Sequence, residues 1–392
     1  MQKKRIWLYA GTWTTSGEGG IGIYRYDEET GETKYIKTVR EDVVAGLTVA
    51  DREKGILYTL DERANNPDIG EKAGGGGRVF AFRIDPETGD LTEINHQSSL
   101  GVMPAYLSWD SGKPEKGGSR GLITCNHSSG ESVTKVVRDM TGRISLERQF
   151  SDTTVVHYPL RPDGSIGEPD DVVVTPPERG IYSCLHSANL APDGRSIILC
   201  DRNLDRVHLL HWEKEQKKLV MDATVLLPQG MSMKTGATPR YSAFHPFLPL
   251  VYVNCEYSPY IYILRYGGNG FLEMAGRADI APPGKEAGSY SPSDLCLSPD
   301  GRFLYMLYRW TDQVGIFSVD PENGSLAPAG WLALSGKEPR GMCFSPDGRF
   351  LLVAAMKSGD ITTLKVREDG TLEELGRTSG QYRPGNINFY YA

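Results

Sequence analysis

One phrase returns along this chain at a nearly constant spacing. It reads IDPETGDLTEI over 84–94, VDPENGSLAPA over 319–329 and VREDGTLEEL over 366–375, with weaker copies at 26–36, 138–147, 160–169 and 265–274. Each copy is an apolar run, a polar turn closed by glycine and a second apolar run, the signature of a β-hairpin. The glycines are Gly31, Gly89, Gly142, Gly164, Gly270, Gly324 and Gly370. The step from Gly164 to Gly270 is 106 residues, twice 53, and the missing copy falls within 212–221. A period near 50 means an array of similar units, none of which can bury its apolar face alone.

A second phrase follows the first. It reads LAPDGRSIILCDR (190–202), LSPDGRFLYMLYR (297–309) and FSPDGRFLLVAAM (344–356), with drifted copies at 244–256 and 49–62. It predicts a strand, a tight turn and a second strand rich in β-formers. A third run follows (RVHLLHW, YIYILRY, QVGIFSV, DITTLKV), then the glycine turn and a fourth. Helical periodicity is absent. Four short antiparallel strands per unit describe a blade, so the expected fold is an all-β, seven-bladed propeller of one domain over 1–392. The first unit begins at its second strand, RIWLYAGTW, and RPGNINFYYA (383–392) matches the missing first strand. The last residues therefore close the ring, which removes the open sheet edges. Gly142 and Gly164 lie only 22 residues apart, so 128–150 reads as a hairpin inserted in the third blade. The glycine-rich segments 70–77 and 113–119 read as loop insertions; no helix follows GGGG to cradle a phosphate.

The net charge is −7 and the Lys and Arg residues are scattered, which leaves no basic patch for nucleic acid. No apolar run is long enough for a membrane span or, at the N-terminus, for a signal peptide. Cys125, Cys184, Cys200, Cys255, Cys296 and Cys343 form no CxxC pair and read as small core side chains in a reducing, cytoplasmic setting.

In a propeller, the loop into each first strand and the loop after each second strand lie on the same face. Side chains that break the repeat there converge on one mouth of the central channel. Aligned on the PDG turn, the approach residues are Ala45, Ala105, His186, Arg240, Ser293, Arg340 and Gly385. The exit residues are Thr12, Glu62, His127, Arg202, Glu256, Arg309 and Met356, with one-residue slips allowed in the early blades. Carboxylates, histidines and arginines around one opening suit an anionic ligand and proton transfer. Arg and Glu at blade ends also form purely structural ion pairs. His208, His211 and His245 lie away from this mouth. No HExxH, His-x-His, Asp-rich loop or Gly-x-Ser-x-Gly elbow occurs, so a metal is at most weakly signalled and an acyl-serine mechanism is disfavoured; no cofactor is expected. His186 and Ser187 are adjacent on a strand and point to opposite faces, which argues against a dyad.

With AGTWTTSGEGGIGIYRYD, GRVFAFRIDPETGDLTEINHQSS, LHSANLAPDGR, PRYSAFHPFLPLVYVNCE and EPRGMCFSPDGRFLLVA in view, nearly the whole chain resembles the seven-bladed lactonase family. That family includes bacterial propeller-type 6-phosphogluconolactonases and fungal 3-carboxy-cis,cis-muconate lactonizing enzymes. The resemblance implies a catalytic set of His186, Arg240, Glu256 and Arg309. The chain departs from the family in YSCLHSA, which lacks a further His before His186, and in its long third blade. The implied function is hydrolysis of a sugar-acid lactone. His186 or Glu256 would take the proton of water, and Arg240 and Arg309 would hold the carbonyl oxygen and the anion. Arg340, Arg202, His127 and Glu62 would make further substrate contacts. A lactonizing cycloisomerase could use the same residues, and a non-enzymatic binding platform is the third reading. The expected partner is a small anionic lactone or sugar acid, and the protein itself a monomer or homodimer.

Overall fold

In the computed structural model, which describes residues 5–14, 19–64, 75–110, 120–175, 181–228 and 236–391, the apolar runs flanking each glycine phrase are β-strands. They assemble into seven four-stranded antiparallel sheets and one two-stranded hairpin. The glycine-rich segment 113–119 lies outside the described residues, as does most of 70–77.

Except in blade 1, the strands of each blade run outward from the channel in chain order. Blade 5 is typical: Pro239–Phe244 innermost, then Leu250–Cys255, Tyr260–Gly267 and Phe271–Asp279 at the rim. The second strands, such as Leu250–Cys255 and Phe350–Ala355, are buried along their whole length, because neighbouring blades cover both faces. This is why they read as unbroken apolar runs rather than alternating ones. The rim strands are largely exposed.

The glycine of the phrase has two duties. Gly89, Gly164, Gly324 and Gly370 all adopt positive φ, which closes the turn without strain. Each carbonyl also accepts a hydrogen bond from a tyrosine of the preceding blade: Tyr9 to Gly89 at 2.8 Å, Tyr58 to Gly164 at 2.9 Å, Tyr252 to Gly324 at 2.8 Å and Tyr305 to Gly370 at 3.0 Å. The missing copy is present in conformation if not in composition. Lys217 has φ 50° at the position 53 residues after Gly164.

Blade 1 takes its innermost strand from the far end of the chain. Pro384–Tyr391 pairs antiparallel with Ile6–Thr12, from Ile6↔Tyr391 to Thr12↔Pro384. In blade 3 the segment between the second strand, Gly121–Asn126, and the third, Thr153–Pro159, carries the hairpin Ser132–Arg138/Ile144–Phe150, whose side chains are almost all exposed.

Candidate active site at the channel mouth

The approach residues are set apart by backbone geometry. In six blades the pairing of the innermost strand with its neighbour skips at this point. The skipped residues are Ala105, His186, Arg240 with Tyr241, Ser293 with Asp294, Arg340 and Gly385. A β-bulge leaves a residue out of the ladder and re-aims its side chain. In four of these blades the strand begins with proline after a residue of positive φ: Met103, Thr238, Glu338 and Arg383. The exit residue then returns to the same place. Its amide donates to a carbonyl just before the approach residue: His127 to Met103, Arg202 to Cys184, Glu256 to Thr238, Arg309 to Ser291 and Met356 to Glu338.

This contact corrects the sequence alignment in two blades. In blade 2, Glu62 bonds to Val44, which makes Gly46 rather than Ala45 the approach residue. In blade 1 the amide that bonds to Arg383 belongs to Trp13, so Trp13 takes the place assigned to Thr12. Blade 1 draws its inner strand from residues 384–391, so no local repeat anchors the alignment there.

All eight residues singled out in the sequence lie at this mouth. His127 and His186 meet edge to face with ring centroids 5.3 Å apart. His186 also packs on Tyr241 at 5.2 Å, and the Arg240 guanidinium lies 4.2 Å from the Tyr241 ring centre. Glu256 is clamped from both sides: Arg202 Nε donates to Oε2, and Arg309 Nη2 donates to Oε1. Across the opening, Arg340 stacks on Trp13 at 4.0 Å, and Trp13 Nε1 donates to Glu62 Oε1 at 2.9 Å.

The two carboxylates differ sharply. Burial acts to raise the pKa of Glu256, but Arg309, Arg202 and Arg240 outweigh it and hold the group at about 2. Burial carries Glu62 up to about 6, against the opposing pull of Arg340, the Trp13 hydrogen bond and Arg240. Burial, reinforced by the nearby arginines, lowers His127 to about 4 and His186 well below its ordinary value, so both rings are neutral near pH 7.

The arginines divide in the same way. Arg202 and Arg309 have a carboxylate; Arg240 and Arg340 have none within salt-bridge distance among the described residues. Arg240 is fully buried, gives one hydrogen bond to the Ser293 carbonyl, and finds no partner for Nε or Nη2 among the described residues. Burial and mutual repulsion with Arg240 bring Arg340 down to about 10. Tyr106, Tyr241 and Asp294 adjoin this cluster, and the alignment missed them. Tyr241 stacks edge to face on Tyr106 at 5.3 Å, and burial lifts Asp294 to about 6 although it accepts the Met342 amide at 2.9 Å. The signal was the column one residue past the approach position, which reads Tyr106, Ser187, Tyr241, Asp294, Gly341 and Asn386 in blades 3 to 7 and the closing strand. No three or more His, Cys, Asp or Glu side chains converge as a metal site among the described residues.

A family model described as "Lactonase, 7-bladed beta-propeller" matches residues 7–389. The chain is 25% identical to a 6-phosphogluconolactonase of Bacillus subtilis, over 98% of both chains. It is 26% identical to a 6-phosphogluconolactonase of Formosa agariphila, over 94% of this chain and 95% of the relative. Among solved structures, the periplasmic gluconolactonase PpgL of Pseudomonas aeruginosa superposes with a TM-score of 0.77 at 26% identity, covering 98% of this chain and 99% of that one.

Proposed function

The chain belongs to the seven-bladed β-propeller lactonase family, and from that premise we propose that it hydrolyses a sugar-acid lactone at the mouth described above. The lactone of 6-phosphogluconate is the form that the names of the Bacillus and Formosa relatives point to. The observation that carries the reading is the pair Arg240 and Arg340, two guanidinium groups in the same mouth with no carboxylate within salt-bridge distance among the described residues. A buried charge without a counter-charge is costly, and such a site is built for an anion. The substrate's phosphate or carboxylate, and the oxyanion that forms at the carbonyl during attack, supply that charge. Arg202 and Arg309, fixed by Glu256, extend the positive wall. His186 is neutral, with Nδ1 unpaired, and serves as a hydrogen-bonding group to the lactone rather than as a second cation.

A pH-indicator assay on a panel of glucono-δ-lactone, its 6-phosphate and muconolactone-type compounds tests this. Acid release well above the spontaneous rate, abolished in Arg240→Ala, is the expected result. A preference for the 6-phosphate should weaken in Arg340→Met through a raised KM. No release from any lactone overturns the hydrolase reading, and turnover of the muconolactone alone shifts it to the cycloisomerase. Six free cysteines support a reducing, cytoplasmic location as part of the same proposal.

A further inference from the structure

Lactone opening needs a group that takes a proton from water and returns it to the leaving ring oxygen. The family resemblance points to His186 and Glu256 for this, yet burial and the nearby arginines leave the His186 ring a very weak base, and Glu256 is no better arranged. Both oxygens of Glu256 are occupied by arginine, and three guanidinium charges hold it ionised. A carboxylate so stabilised is a very weak base.

The opposite wall holds a better-placed carboxyl. Glu62 directly follows the second strand of blade 2, Ile56–Asp61, and is half-buried at the mouth. Trp13 Nε1 fixes Oε1, while Oε2 accepts no hydrogen bond from the described residues. Oε2 lies over Gly46: a Cβ there would stand 2.1 Å from it, so only glycine lets the carboxyl take this position. Arg340 from blade 7 stacks on the same Trp13 and acts on Glu62 through its charge, as does Arg240 from blade 5. Tyr241 of blade 5 and Cys125 of blade 3 also sense its charge, and neither is ionised near pH 7. We infer that Glu62, held by Trp13 and faced by Arg340, is the carboxyl that moves the proton in this reaction, while Glu256 only positions the arginines; the inference rests on the lactonase reading above. In the step, water oxygen bonds to the lactone carbonyl carbon as its proton passes to Glu62 Oε2. The ring C–O bond then breaks, and the ring oxygen takes that proton back from Glu62. The new carboxylic acid loses its own proton to solvent. Trp13 and Gly46 are positioning residues.

The test is the pH profile of kcat/KM on the lactone that the wild type hydrolyses best, corrected for the spontaneous rate. Wild type should show an acid limb with a midpoint near 6. Glu62→Gln should lower kcat at least about 100-fold and lose that limb. Glu256→Gln should keep the limb and mainly raise KM. Trp13→Phe removes the donor that favours the ionised carboxyl, so the limb should move to higher pH. Gly46→Ala should lower kcat with little change in KM, because it pushes Oε2 aside. If Glu62→Gln keeps the acid limb, or if Trp13→Phe leaves it in place, Glu62 is not the proton carrier, even though the protein is a lactonase. A wild type inactive on every lactone instead removes the lactonase reading itself, and this inference with it. Should Glu62→Gln fail to fold, the Trp13→Phe shift decides.

Discussion

Glu62 and Glu256 carry the same functional group on two walls of one mouth, and their surroundings push them in opposite directions. Glu256 has its pKa depressed to about 2, so its ionised form contributes stability above its ordinary value near 4.5, lost as the pH falls toward 2. In Glu256→Gln that acid-side loss should shrink. The arginines left unpaired should lower stability at pH 7 by about 3 kcal/mol, read by urea unfolding from pH 2 to 8. For Glu62 the sign reverses. Its pKa is raised to about 6, so its contribution is full below pH 4.5 and is lost as the pH rises through 6. Glu62→Gln should therefore be more stable than wild type at pH 8, with no such advantage at pH 4. His186→Ala, which removes a hydrogen-bonding group at the lactone, should lower turnover about 100-fold or more with its melting temperature nearly unchanged; a matching fall in stability would assign it to structure. At this scale the sequence told which residues meet but not which wall each belongs to. The contrast between the two carboxylates depends on Trp13, which a one-residue slip hid, and on Gly46, whose missing side chain makes room for Glu62 Oε2.

The blade was the most legible unit, because its turns are written in local chemistry. Asp85 Oδ1 accepts the amides of Glu87 at 2.8 Å and Thr88 at 3.0 Å, and Asp320 Oδ1 accepts those of Glu322 at 2.9 Å and Asn323 at 3.0 Å. Such Asp–Gly turns need nothing from the rest of the molecule. What the repeat did not reveal is that the turn is also a joint between blades. The tyrosine that reaches the Gly324 carbonyl lies 72 residues away, outside any local pattern. Tyr252→Phe strips a buried carbonyl of its donor while keeping the ring, and should destabilise the protein by about 1–3 kcal/mol, measured as a shift in the urea midpoint. An unchanged midpoint would make the joint decorative. The bulges were equally invisible, since a residue left out of the ladder looks like any other strand residue in sequence. They explain why repeat-breaking side chains at this one position face the channel instead of a neighbouring blade.

At the scale of the molecule, seven blades form a closed ring only because residues 384–391 join Ile6–Thr12. The same segment also builds the site. Trp13 donates its amide to the Arg383 carbonyl at 3.1 Å, and Arg383 Nε donates back to the Trp13 carbonyl at 3.1 Å. Gln381 adds a bond to the Ala10 carbonyl at 2.7 Å, and Asn386 accepts the Thr48 amide at 3.0 Å, which ties the closing strand to blade 2. Deleting 383–392 should leave the protein insoluble or strongly destabilised in a sedimentation and thermal-melt assay; a well-folded truncation would refute the closure. There is also a consequence in time. A nascent chain still holding residues 383–391 inside the ribosome has every arginine of the mouth and no fixed Trp13. On the mechanism proposed above, catalysis would begin only after translation has passed this segment, and a message cut short would yield a product that is silent rather than sluggish.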